Sequence, residues 1–307
     1  MRLVFMGTPT FAVPSLRAVA AVHDVVAVLT APDRPRGRGR VLSSSPVRAA
    51  AVELGLVVSQ PTTLRDAATV ARLASLTPEV VCVAAYGLLL PPETLAVPSR
   101  GCLNVHASLL PRHRGAAPVH RAILQGDATT GVSIMRMEPT LDTGPVAAAV
   151  EVPVGDHDLA SLTTLLAEEG ARLLVEVLAS VERGEDSWLP QDEGLATYAS
   201  KVSRDDLALS PDQTAQTFLR RVRASTRSAP ARAVICGVAS AVSRAAGSDA
   251  HVSPGRVVSD GGSLFLGLAD AAVEVLTMRP DSRSEMPGAA FACGLKDPVE
   301  RAWVSEG

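Results

Sequence analysis

Asn104 and His106 stand two residues apart at the end of a short apolar run, and Asp142 follows in a polar turn after a second such run. An amide can hold a developing oxyanion, an imidazole can move a proton near neutral pH, and a carboxylate can orient that imidazole or accept its proton. Together the three suit acyl-type transfer. Any one of them alone is commonly a cap or a satisfied turn residue.

Bringing them to one pocket requires particular elements. Residues 102–105 read as a buried strand that Pro111 and Gly115 then force into a loop. On a strand, i and i+2 point the same way, so Asn104 and His106 share a face. Residues 131–137 read as another strand, which delivers the Asp142 turn. Apolar runs at 3–6, 25–29, 80–84, 103–105 and 132–137 alternate with helical stretches at 47–54 and 67–76. This predicts an α/β, doubly wound, mostly parallel sheet of Rossmann type with helices on both faces. In such sheets ligands bind beyond the carboxyl ends of the strands, where Tyr86, Asn104, His106 and Asp142 would gather.

The loop Gly7-Thr8-Pro9-Thr10-Phe11 lacks the Gly-x-Gly-x-x-Gly spacing of a dinucleotide site, and Pro9 removes an amide that a pyrophosphate would use. NAD binding is therefore excluded, and Thr8 or Thr10 reads as a helix cap. Residues 158–183 read as one long amphipathic helix, and the acidic stretch 184–194 as an exposed linker. A catalytic domain over residues 1–200 is expected. In residues 201–307, a helix at 212–223 and short runs at 255–258, 263–268 and 273–277 predict a small β-barrel.

Composition narrows the class further. Hydrophobic residues make up 47% of the 307, enough for a sizeable core, and aromatics only 3%, so Ala, Val and Leu must fill it. The longest apolar run, 80–90, is too short for the roughly 20 residues of a membrane helix. The first strand starts at the N-terminus without a secretory signal, and a cytoplasmic protein with no membrane partner is expected. Cys82, Cys102, Cys236 and Cys293 lack metal-ligand spacing and read as reduced thiols, so no metal site is expected. A net charge of −3 does not advertise a nucleic-acid binder, but Arg34, Arg36, Arg38 and Arg40 alternate with Pro and Gly in seven residues, a spacing that argues against a regular element.

The run Asn104-Val105-His106-Ala107-Ser108-Leu109-Leu110-Pro111 and the turn Leu141-Asp142-Thr143-Gly144 resemble the Asn-x-His-x-Ser-Leu-Leu-Pro and Leu-Asp-x-Gly elements of the folate-dependent formyltransferase family. The opening Met6 to Leu16, the segment Pro32 to Arg40 and Ala85-Tyr86-Gly87-Leu88 resemble the tRNA-modifying branch of that family at matching places. The likeness is close over residues 2–200 and thins beyond Tyr198-Ala199-Ser200-Lys201. There, Asp206-Leu207 and Ser228-Ala229-Pro230-Ala231 replace the usual Asp-Trp and Asn-Pro-Trp-Pro.

The resemblance implies 10-formyltetrahydrofolate as formyl donor and the α-amino group of methionyl initiator tRNA as acceptor, with no metal and no covalent intermediate. It assigns Asn104, His106 and Asp142 to catalysis, and Ser108, Leu109, Leu110, Pro111, Tyr86 and Gly87 to the folate wall. Arg34, Arg36, Arg38 and Arg40 would grip tRNA, and residues 201–307 would form an OB-like, tRNA-binding barrel. Arg112, His113 and Arg114 follow the folate segment and by position are candidates to hold tRNA phosphates or the folate tail, with His113 excluded from catalysis. A monomer is expected. The competing readings are a sugar-amine formyltransferase of the same fold and a non-catalytic folate- or RNA-binding module; intact Asn104, His106 and Asp142 argue against the latter.

Overall fold

The structure, a computed structural model, describes residues 1–36, 41–294 and 302–306. The chain divides into two compact units. The first comprises Met1–Val119, Thr129–Pro153 and Leu162–Ala199; the second His120–Ala128, Val154–Ser161 and Ser200–Gly307.

The first unit is built on a seven-stranded sheet in the spatial order Val146–Pro153, Thr129–Arg136, Cys102–His106, Val80–Ala84, Arg2–Gly7, Asp24–Leu29, Val58–Ser59. The strands from Cys102–His106 to Val58–Ser59 run parallel, and Thr129–Arg136 and Val146–Pro153 add an antiparallel edge. The mostly parallel, doubly wound sheet expected from the alternating pattern is present. Strand order reverses beside Arg2–Gly7, whose neighbours Val80–Ala84 and Asp24–Leu29 come from opposite directions along the chain, and at such a switch point the loops diverge and leave a crevice.

Side-chain alternation then decides what each face buries. Val4, Met6, Val81, Val83 and Cys102 pack with Leu73 of the helix Ala67–Ser75. On the Cys102–His106 strand, Asn104 and His106 share the parity of Cys102, whereas Val105 points to the other face. There Gly170 of the long helix Leu159–Arg183 comes so close that a Cβ would lie 2.8 Å from Val105 Cγ1. The polar pair is thereby kept off the long helix.

The second unit holds an antiparallel sheet in the order Val257–Asp260, Ser263–Gly267, Ala272–Pro280, Val238–Ser248, Ala231–Ile235, Trp303–Ser305. A bridge between Arg256 and Ala302, with Trp303 N donating to Gly255 O at 2.9 Å, joins its two edges into the expected small barrel. Trp303 plugs the interior edge-on to Phe218, their centroids 5.8 Å apart, and its indole N–H donates to Gly267 O at 3.0 Å. A buried indole needs that acceptor. Among the described residues, no helix is long and apolar enough to cross a membrane.

Candidate active site

Asn104 and His106 end the Cys102–His106 strand, buried on both sides by the neighbouring strands Val80–Ala84 and Thr129–Arg136. Asn104 is 9% exposed, and its side-chain amide has no hydrogen-bond partner among the described residues. His106 is anchored instead. Its Nε2 donates to the carbonyl of His113 at 3.0 Å, a direction fixed because a carbonyl only accepts. Its other nitrogen, Nδ1, faces Asp142 Oδ2 at 3.7 Å.

Asp142 enters from the loop after Thr129–Arg136, with φ of 54°. Its Oδ2 accepts the backbone N–H of Gly115 at 2.9 Å. Two residues on, Gly144 passes so close to the backbone that a Cβ would lie 1.9 Å from the Arg136 carbonyl oxygen, so only glycine lets the loop return at this height. The structure thus brings His106 and Asp142 together, beside an Asn104 whose donors are unspent.

The Ser108-Leu109-Leu110-Pro111 turn follows directly and is held by one buried hydroxyl. Ser133 Oγ donates to Ser108 O at 2.8 Å and accepts from Leu110 N at 3.1 Å. Ser108 itself is fully buried and its Oγ donates to Arg112 O at 2.6 Å, so its side chain shapes the turn from behind. Leu109, Leu110 and Pro111 are partly exposed.

Tyr86 and Gly87 line a cavity of about 370 Å³ at the switch point, with Thr8, Pro9, Ala31, Pro32 and Leu88 among its other walls. Thr8 ties three strand ends together there: its Oγ1 donates to Tyr86 O at 2.9 Å and accepts from Ala31 N at 3.3 Å. The helix-cap reading of Thr8 and Thr10 is therefore corrected. Phe11 occupies the cap position of Ala12–Val22 without a side-chain cap bond. Tyr86 is 3% exposed, and burial pushes its phenol up to about 12.

Arg34 and Arg36 also differ from expectation. Their backbone forms the short strand Arg34–Arg36, paired antiparallel with Val41–Ser43, although Pro and Gly argued against a regular element. In a two-stranded ribbon both strands are edges, where the missing N–H of Pro35 is tolerated. Arg38 and Arg40 lie outside the described residues.

Arg114 is not a free phosphate ligand. It is fully buried and donates to Gln191 and to Glu193 in the 184–194 stretch, which is a structural partner rather than a mere linker. Sequence reasoning missed Ser133, Gly115 and the His113 carbonyl because each acts through a backbone group or a neutral hydroxyl. Among the described residues, no group of three or more His, Cys, Asp or Glu could hold a metal ion.

Residues 1–178 match the Formyl transferase family. The chain is also 44% identical, over 97% of its length and 97% of the relative's, to a methionyl-tRNA formyltransferase of Rhizorhabdus wittichii. The chain belongs to the formyl transferase family. HypX from Aquifex aeolicus in complex with tetrahydrofolic acid shares the fold, with a TM-score of 0.66 and 20% identity over 97% of this chain; the chain spans about half (49%) of that protein's length. WlaRD, a sugar 3N-formyl transferase, shares it as well, with a TM-score of 0.67 and 12% identity over 92% of this chain and 99% of that one. At such identities the likeness extends to the formyl transferase fold alone.

Proposed function

We propose that this protein transfers the formyl group of 10-formyltetrahydrofolate to the α-amino group of methionyl initiator tRNA, for the initiation of translation. The observation that carries the chemistry is the unspent Asn104 amide beside the His106–Asp142 pair. The acceptor reading is supported by the 44% identical relative over nearly full length.

In this reading the neutral amine attacks the formyl carbon, and negative charge collects on the formyl oxygen. Asn104 donates an N–H to that oxygen. His106 has spent Nε2 on His113, so only Nδ1 can serve the reacting group, with Asp142 behind it. Asp142 takes the proton shed by the attacking nitrogen, directly or through water. The bond from carbon to N10 of the folate then breaks, and N10 receives the proton that Asp142 took, directly or through water, as tetrahydrofolate leaves. Each oxyanion donor contributes about 10² to 10³ in rate.

Leu109, Leu110, Pro111, Tyr86 and Gly87, with the turn set by Ser108, form the folate wall in this account. Arg34, Arg36, Arg38 and Arg40 grip the phosphates of the tRNA end. Residues 1–200 act as the catalytic domain and 201–307 as the tRNA-binding barrel of a cytoplasmic monomer.

The test offers the protein 10-formyltetrahydrofolate with methionyl initiator tRNA, methionyl elongator tRNA or an amino-sugar nucleotide. Selective formylation of the initiator is expected; formylation of the sugar instead would overturn the acceptor. An Arg38→Ala, Arg40→Ala double variant should weaken tRNA use and its salt dependence and leave donor binding intact.

A further inference from the structure

We infer that Gln191, clamped by the buried Arg114, is a positioning residue that sets the Asp142 carboxylate against His106. Its catalytic consequence rests on the function proposed above, but the geometry stands without it.

Arg114 is fully buried, and every nitrogen of its guanidinium is engaged. Nε and Nη2 donate to Gln191 Oε1 at 3.0 and 2.8 Å; Nη1 and Nη2 donate to the two Glu193 oxygens at 2.8 and 2.7 Å. The guanidinium beside Glu193 in turn holds that carboxyl below its ordinary range. A fork bound at both tines has one orientation.

That orientation is passed on through the Gln191 amide. Gln191 Nε2 donates to Asp142 O at 2.8 Å and to Gly144 O at 2.7 Å. The amide cannot be turned over. A guanidinium only donates and carbonyls only accept, so the oxygen must face Arg114 and the nitrogen the loop. All four of its hydrogen-bonding positions are used.

The loop it holds turns through a left-handed residue. Asp142 has φ of 54°, in the left-handed region that non-glycine residues occupy uncommonly, aspartate more readily than most. Gln191 seizes the carbonyls on both sides of Thr143, and Gly115 N takes the carboxylate. Gly115 directly follows Arg114, and the carbonyl that anchors His106 directly precedes it. One short segment, 113–115, therefore fixes the imidazole through a carbonyl, the carboxylate through an amide, and the loop between them through Arg114 and Gln191.

The experiment replaces Gln191→Met, which keeps the volume and removes both donors and the acceptor. Steady-state formylation and hydrogen exchange of the Gly115 amide are then measured in the full chain. We expect kcat to fall about tenfold to a hundredfold, the range a misplacement of about 1 Å produces, with KM for the donor within about threefold. The Gly115 amide, whose acceptor is the Asp142 carboxylate, should exchange at least about tenfold faster.

Wild-type protection of that amide in the variant, or an unchanged kcat, overturns the proposal. If Gln191→Met does not fold, Gln191→Glu keeps the Arg114 contact, loses both donors and is read the same way. Should the wild type formylate no acceptor, the proposed function fails, while the exchange measurement alone still decides whether Gln191 positions Asp142.

Discussion

His106 Nδ1 lies 3.7 Å from Asp142 Oδ2, too far for a direct hydrogen bond, while Nε2 is held by the His113 carbonyl at 3.0 Å. The imidazole is therefore fixed on one side and available on the other. The available side is the one that faces the carboxylate. A group entering there meets the Nδ1 lone pair and the Asp142 carboxylate together, two acceptors for the proton that an attacking amine sheds.

Asp142→Asn preserves the shape of the side chain and an oxygen for Gly115 N, but removes the proton acceptor. The rate of formyl transfer should fall by about 10² to 10⁴, with the thermal midpoint little changed. Single-turnover kinetics beside thermal unfolding check both halves, and a variant that loses stability and activity together would place Asp142 in the scaffold.

Asn104→Ala should separate the same two quantities more sharply. Its amide makes no hydrogen bond within the described protein, so deletion breaks none. The expected outcome is a loss of about 10² to 10³ in kcat at a nearly unchanged denaturant midpoint. A large drop in stability would mean that the amide supports the fold.

At Gly144 an added methyl meets backbone, not a movable side chain: the Cβ would lie 1.9 Å from the Arg136 carbonyl oxygen. Gly144→Ala should destabilise the first unit by about 1 to 3 kcal/mol through overpacking and displace Asp142. Urea unfolding gives the first effect and the residual rate the second.

Much of this site is legible in the chain itself. Asn104 and His106 are two residues apart on an apolar strand, and period two alone puts them on one face. Alternating strand and helix patterns yield the parallel sheet and hence the end at which the site lies. Arg114 and Gln191 are not legible in this way, because they are 77 residues apart and Gln191 sits in an acidic, proline-containing stretch that reads as solvated. Only the fold shows that this stretch serves a buried cation. Thr8 fails for a related reason: a threonine before a helix looks like a cap, and its bond to Tyr86 O spans 78 residues. The barrel's closing bridge between Arg256 and Ala302 likewise has no local signal.

In the second unit, hydrogen bonds from Arg121, then Ser203, lower the Asp206 carboxyl to about 2. A carboxyl depressed on folding stabilises above its unfolded value, near 4, and that contribution is lost as pH falls through the folded value. The stability difference between wild type and Asp206→Asn should therefore be full at pH 5 and above, and shrink between about pH 4 and 2. Denaturant titrations across that window would show it; a constant difference would contradict the role of the Arg121 pair.

The thiols should sort by burial. Desolvation pushes Cys102 up to about 12 and raises Cys82 further, whereas Cys293 is exposed. Ellman's reagent at pH 8 should label Cys293 in the folded protein and reach Cys82 and Cys102 only on unfolding. Rapid native labelling of Cys82 or Cys102 would contradict the packing of the strands that carry them.

The most direct test compares wild type with His106→Ala for formyl transfer from 10-formyltetrahydrofolate to methionyl initiator tRNA, with donor binding measured alongside. Rapid, initiator-selective transfer by the wild type is expected, with a loss of at least about a hundredfold in the variant at similar donor affinity. Equal rates in the two proteins would contradict the assignment of the chemistry to the His106–Asp142 pair.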